Sequence, residues 1–200
     1  MPKILVLYGT TNGHTARIAR TVAETLERSG ARVETIDAAR GNPPHPALFD
    51  GVVVAASIHV GGYQRSVRRW LRRHAAVLNG MPTLFLSVCL AVLERKPEVD
   101  RELERIVDKL VAKTGWRPDA WKPIAGALPY TKYGWLTRLV MRRIAEKQHG
   151  DTDTTRDFEY TDWSDLRETA RAFAARVGDQ GMENPPEVTP LAGTTAPSSL

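Results

Sequence analysis

The chain has 200 residues, a length that suits one domain with a substantial buried core. Its formal charge of +5 favours anionic partners, and its single cysteine, Cys89, excludes an internal disulfide and fits a reducing compartment. No signal-peptide pattern opens the sequence and no apolar run approaches spanning length, which predicts a soluble, cytoplasmic protein at most peripheral to a membrane.

A short apolar run at 4–8 breaks into a polar loop of small residues, Gly9, Thr10, Thr11, Asn12, Gly13, His14 and Thr15. A helical pattern over 13–29 follows and Gly30 closes it. Hydroxyls, an amide and backbone N–H groups at a helix N-terminus are the neutral donors that one phosphate needs. The loop lacks both G-x-x-x-x-G-K-S/T and G-x-G-x-x-G, which sets aside nucleoside triphosphates and dinucleotide pyrophosphates. The same residues also suit a plain polar turn in which a Thr or Asn caps the helix.

Residues 31–36 read as a second strand, and the RGNPPHP run at 40–46 predicts a short or irregular connection. The run GVVVAAS at 51–57 reads as a central strand buried on both faces. It leads into a second loop, Ser57, Ile58, His59, Val60, Gly61, Gly62 and Tyr63, where paired glycines permit close ligand approach. A helix over 64–78 then turns Val67, Trp70, Leu71, His74 and Leu78 inward, with Arg65, Arg68, Arg69, Arg72 and Arg73 outward. The fourth strand, 81–88, ends in a third loop of Ser87, Val88, Cys89 and Leu90.

A helix over 98–113 and a fifth strand over 121–128 complete the alternation. Next come a basic amphipathic helix within 130–148, a polar connection to 156 and a short extended piece at 158–161. The final helix spans 163–177, with Asp162 as its cap and Asp165 completing a box-like start. The Pro/Gly/Ser/Thr-rich residues 179–200 are expected to form a disordered tail, leaving a folded domain over 1–178. No His/Cys/Asp/Glu cluster has metal-ligand spacing, so no metal site is expected.

Five strands interleaved with helices predict an α/β doubly wound parallel sheet of order 2-1-3-4-5, with a long insertion at about 130–156 associated with the last strand. In that order the first, third and fourth strands are adjacent, and their three loops converge on one site outside the carboxyl ends. A phosphate seat beside two loops that flank a planar group suits a mononucleotide with a flat ring, and FMN is the natural fit.

With these blocks the chain resembles the flavodoxin family: Thr10, Asn12, Gly13 and Thr15 match its phosphate-loop pattern, with Asn12 where threonine is usual. It is more closely similar to the menaquinone-dependent, flavodoxin-like protoporphyrinogen oxidases, through six sets of residues, five of them before residue 131. These are Ala56-Ser57-Ile58 with Gly61 and Tyr63; His74-Ala75 with Leu78-Asn79 and Met81-Pro82; Ser87-Val88 with Arg95-Lys96-Pro97-Glu98; Trp116-Arg117-Pro118-Asp119; and Ile124-Ala125-Gly126-Ala127-Leu128 with Tyr130. Thr152-Asp153-Thr154 and Tyr160-Thr161-Asp162-Trp163 add a sixth. Two positions depart from that group's pattern: Val60 stands where an aromatic flanks the flavin, and Cys89 where a polar residue is expected.

The resemblance implies noncovalent FMN, oxidation of protoporphyrinogen IX to protoporphyrin IX in haem synthesis, and electron delivery to a membrane quinone. It implies that 121–128 and 158–161 are two parts of one edge strand split by the insertion. It also points to Tyr133, Trp135, Arg138, Arg142 and Arg143 as a surface for substrate or for the anionic inner face of the cell membrane. Thr10, Thr11, Asn12, Gly13, His14 and Thr15 would surround the phosphate. Residues 57–63 would border the flavin N5 edge, and Ser87, Val88 and Cys89 the pyrimidine edge. No side chain is singled out as a catalytic acid or base, since the redox chemistry is centred on the flavin. A flavodoxin-type electron carrier and another FMN-dependent quinone reductase are the alternatives. Nucleic-acid binding is not expected, because no recognised module accompanies the arginines.

Overall fold

The computed structural model describes residues 1–58, 61–94, 96–128 and 158–183. Strands β1 (Lys3–Gly9), β2 (Arg32–Asp37), β3 (Gly51–Ser57), β4 (Thr83–Cys89) and β5 (Ala120–Ala125) form one parallel sheet. Its order is β2-β1-β3-β4-β5, as predicted. The three central strands are buried along nearly their whole length, whereas β2 and β5 are mixed, which is the burial that central and edge positions impose. Pro123, which has no N–H to give to a further strand, lies in the edge strand β5.

Helices α1 (His14–Arg28) and α4 (Trp163–Glu183) cover one face of the sheet. There Ile18, Val22, Leu26, Leu166 and Phe173 meet Ile4, Val6, Val53 and Leu86. Helices α2 (Arg65–Leu78) and α3 (Pro97–Thr114) cover the other, packing Val67, Trp70, Leu71, Ile106 and Leu110 onto Leu5, Leu7, Val54 and Phe85. Each sheet face needs such a layer, since alternate side chains of a buried strand point to opposite sides. His74, expected inward, is only half-buried and packs its ring against His45 and Trp70. Between β2 and β3 the proline-rich run yields only a 3-10 turn, Pro46–Leu48.

Several element ends differ from the sequence expectation, three of them for reasons the residues supply. Strand β4 starts at Thr83 rather than at 81: Pro82 has no N–H for a ladder and contributes its carbonyl to Val52 N instead (3.0 Å). The last edge is not one strand interrupted. Strand β5 stops at Ala125, and β6 (Ala127–Leu128) pairs antiparallel with β7 (Phe158–Glu159) in a ribbon separate from the main sheet. Gly126 is the pivot, donating its N–H to the Cys89 carbonyl (3.1 Å) and accepting at its own carbonyl from Tyr160 N (3.1 Å). Helix α4 runs through Gly178 to Glu183, past the expected end at 177, because a helical glycine costs only about 1 kcal/mol and does not by itself stop a helix.

Asp162 caps α4 as expected, accepting from Ser164 N and Asp165 N at 3.0 Å each. Asp165 does not return the bond; its carboxylate pairs with Lys122 on β5, tying the helix to the sheet edge. The insertion at 130–156, with its five named surface residues, lies outside the described residues, as do His59, Val60 and 184–200.

Candidate functional site

Strand register brings the loop-bearing ends level. Gly9 on β1 stands beside Ala56 on β3, Ala56 beside Ser87 on β4, and Cys89 beside Ala125 on β5. The loops that follow β1, β3 and β4 are therefore neighbours, at the edge where such sheets take their ligands.

After β1, Gly13 N–H donates to Thr10 Oγ1 (2.9 Å), folding the loop back before the helix starts. Gly13 itself has φ 92°, a left-handed conformation that glycine adopts without strain, and it occupies the N-cap position of α1. The alternative of a Thr or Asn cap is not what forms: α1 has no side-chain cap hydrogen bond and no acidic residue in its first turn. A helix N-terminus so arranged favours an incoming anion through its partial positive charge. Thr15, in that first turn, is 1% exposed, whereas Thr11 faces solvent.

His14 points elsewhere. Its Nε2 lies 2.7 Å from Thr161 Oγ1, whose own proton goes to the Ala125 carbonyl (2.7 Å). That assignment makes His14 Nε2 the donor in the pair. Arg17, one turn along, is ion-paired with Glu159, and its guanidinium stacks over the Trp163 ring at 4.8 Å. Trp163 Nε1 donates to Glu159 Oε1 (2.6 Å). The start of α1 is thus clamped to the chain that re-enters after the insertion. Nothing local in the sequence signals this contact, since His14 and Thr161 are 147 residues apart.

The second loop is fastened at both ends. Ile58 N donates to the Val88 carbonyl (2.9 Å), and Gln64 Nε2 donates to Ser57 Oγ (2.7 Å). Gln64 Oε1 is buried with no hydrogen-bond partner. A Cβ on Gly9 would come within 2.6 Å of Val67 Cγ2 and 2.9 Å of this oxygen, so any larger residue at the end of β1 requires these side chains to shift. Gly61 has φ 69° and, like Gly62, has open space on its Cβ side. Backbone can approach a flat ligand closely at such positions. Gln64 was not singled out from sequence; a polar residue just before a helix gives no pattern of its own.

Tyr63 and Ser87 are brought together, but inside the core. Tyr63 is 4% exposed, packs edge-on against Phe85 at 5.0 Å, and bonds Ser87 Oγ at 2.9 Å. Ser87 is 0% exposed. Both side chains are committed to the α2/α3 side of the sheet, which leaves their backbones as the groups able to meet a ligand. Burial pushes the Tyr63 phenol up to about 12, with the Ser87 bond opposing and the nearby Cys89 adding to the rise. Val88 is also buried. Cys89 is half-buried and its thiol is raised, mainly by burial, with backbone N–H bonds from Val92 and Ala91 opposing. A thiol in that state is protonated at neutral pH and a poor nucleophile. Among the described residues no group of three or more His, Cys, Asp or Glu side chains could hold a metal.

The donor set fits a flavin mononucleotide on chemistry visible here: an uncapped, acid-free helix start for the phosphate and two open glycines for the ring.

Comparison with known proteins gives the following. The flavodoxin domain profile matches residues 5–155. Protoporphyrinogen IX dehydrogenase (quinone) of Escherichia coli is 35% identical over 173 residues, which span 86% of this chain and 94% of that protein. The protein of the same name from Leishmania major is 33% identical over 176 residues, 87% of this chain and 75% of its own. Oxidised flavodoxin 1 from Bacillus cereus superposes with a TM-score of 0.50 at 12% identity, covering 88% of this chain and 97% of that one, a likeness of fold alone.

Proposed function

This chain belongs to the flavodoxin domain family and groups with the quinone-linked protoporphyrinogen IX dehydrogenases; from that premise we propose that it oxidises protoporphyrinogen IX to protoporphyrin IX. FMN is the cofactor in this reading, and a membrane quinone is the electron acceptor. The observation that carries it is the level alignment of three loop-bearing strand ends beside an uncapped helix start.

Bound FMN would supply the reversible redox chemistry that links porphyrinogen to quinone. The chain's own part is to bind and orient. Thr10, Thr11, Asn12, Gly13 and Thr15 hold the phosphate through hydroxyl, amide and backbone donors. His14 braces the loop from outside through Thr161. Backbone at 57–63 borders one edge of the ring, and backbone at Ser87, Val88 and Cys89 the other. Oxidation of a porphyrinogen gains aromatic stabilisation, so placing substrate against cofactor matters more than a dedicated acid or base.

The insertion, with Tyr133, Trp135, Arg138, Arg142 and Arg143, supplies the substrate-facing or membrane-facing surface in this reading. The working location is cytoplasmic, peripheral on the inner face of the cell membrane. More protein should sediment with anionic than with neutral vesicles, and high salt should reduce that binding. Equal recovery with both vesicle types would remove the electrostatic part.

The test of the reaction is anaerobic. Protoporphyrinogen added to the flavin-loaded protein should bleach the flavin spectrum, and a quinone should restore it. Bound flavin that porphyrinogen never bleaches would favour an electron carrier; bleaching by a nicotinamide cofactor alone would favour another quinone reductase.

A further inference from the structure

On the solvent side of the α2/α3 layer lies a groove of about 290 Å³ lined by Arg65, Arg68, Arg69, Arg72 and Lys113. None of these residues belongs to the strand-end loops. The four arginines share one face of α2 at spacings of three and four residues, where like charges repel. Helix α2 contains no Asp or Glu to offset them, and Lys113 joins from the last turn of α3.

Two helical arginines elsewhere are matched to carboxylates within one turn, Arg28 to Glu24 on α1 and Arg105 to Glu102 on α3. Among the described residues, none of the five groove cations has an ion-pair partner. Arg68 Nε is also shut away from solvent and lacks a hydrogen-bond partner. A donor held out of water without an acceptor is costly unless something completes it.

We propose that this groove binds a multiply charged phosphate group. Guanidinium forks match tetrahedral oxyanions with several oxygens, and five uncompensated cations match a diphosphate better than a single carboxylate. The lining offers no aromatic or aliphatic wall, so the recognised part is the charged group and not a base or acyl chain. Its source is a soluble phosphorylated compound or the headgroups of an anionic bilayer. The site is independent of the proposed redox function.

The test uses FMN-saturated protein, so that the loop after β1 does not compete for phosphate. Calorimetric titration with inorganic pyrophosphate should give saturable binding that weakens with salt. Arg68→Gln with Arg72→Gln should reduce the affinity by about tenfold or more, and Lys113→Gln by less. The control Arg28→Gln should leave it unchanged. The double variant should keep its flavin spectrum, and its melting temperature without ligand should hold or rise as repulsion is relieved. That combination separates lost binding from lost folding.

A vesicle arm identifies the source. If binding to cardiolipin vesicles, whose headgroup carries two phosphates, falls with the same double substitution, the headgroup is the ligand. If pyrophosphate binding falls while vesicle binding does not, the ligand is soluble. Wild-type and double-variant protein with equal affinity for both probes, or wild type that binds neither, would overturn the proposal.

Discussion

The pairing of Tyr63 with Ser87 gives a quantitative handle on which side chains serve the fold and which could serve a ligand. Tyr63→Phe removes the hydroxyl that Ser87 Oγ bonds at 2.9 Å, at a site where Ser87 is 0% exposed and water cannot replace it. An orphaned buried polar group costs about 1–3 kcal/mol. With a urea m-value of about 2 kcal/mol/M, a loss of about 2 kcal/mol lowers the unfolding midpoint by about 1 M. Ser87→Ala should cost a similar amount. The double variant should cost less than the sum, with a coupling of about 1 kcal/mol, because no partner is then stranded.

Alkaline unfolding supplies an independent reading of the same residue. The unfolded chain ionises this phenol near 10.0, the folded one only near 12. Between those values the folded state holds more protons than the unfolded, so the stabilisation present below pH 10.0 is lost as pH rises towards about 12. Tyr63→Phe should make that decline shallower. Flavin affinity should be nearly unchanged in all three variants. A Tyr63→Phe protein with wild-type stability but flavin affinity down tenfold or more would refute the argument, because the phenol would then be a ligand contact.

Gly13→Ala and Gly30→Ala both force a non-glycine residue into a left-handed conformation, at φ 92° and 89°, and each should cost about 1–2 kcal/mol in denaturation. Only Gly13→Ala should also weaken flavin binding; an equal effect from both would detach the first loop from the cofactor. His74 is held below its usual 6.5 by burial first, then by His45 and Arg73, so stability should fall as pH drops from 6.5 through the lowered value. His74→Gln should flatten that acid limb, as read by melting temperature against pH, and an unchanged limb would argue against the assignment. Cys89 should react with a thiol reagent slowly at neutral pH and speed up only above the ordinary thiol range, and Cys89→Ser should retain flavin.

Sheet order and the central strands were legible because a strand buried on both faces has to read as a continuous apolar run. Residues 51–57 were located to the residue for that reason. Helix α2 was equally plain, its apolar stripe interrupted by arginines on the outer face. The convergence of three loops followed from strand order alone. What stayed hidden depends on partners far apart in the chain. The apolar periodicity that finds a helix is blind to a hydrogen bond between His14 and Thr161, or to whether a tyrosine after two glycines turns towards a ligand or into the core. The turn at Gly126 was missed because WKPIAGAL has the same composition whether it forms one strand or two. The arginine run was visible, yet Lys113, contributed from another helix, completes the groove only in three dimensions.

Comparing FMN with riboflavin in a fluorescence titration of the flavin-free protein tests the central claim most directly. The two ligands share the ring and differ by the phosphate, so the loop at Thr10–Thr15 is read by itself. A phosphate held by several backbone and hydroxyl donors at a helix start should favour FMN by about a hundredfold, at about 1.4 kcal/mol per factor of ten. One FMN per chain with that preference, reduced by Gly13→Ala, is the expected result. Equal affinity for FMN and riboflavin, or no saturable binding of either, would contradict the account.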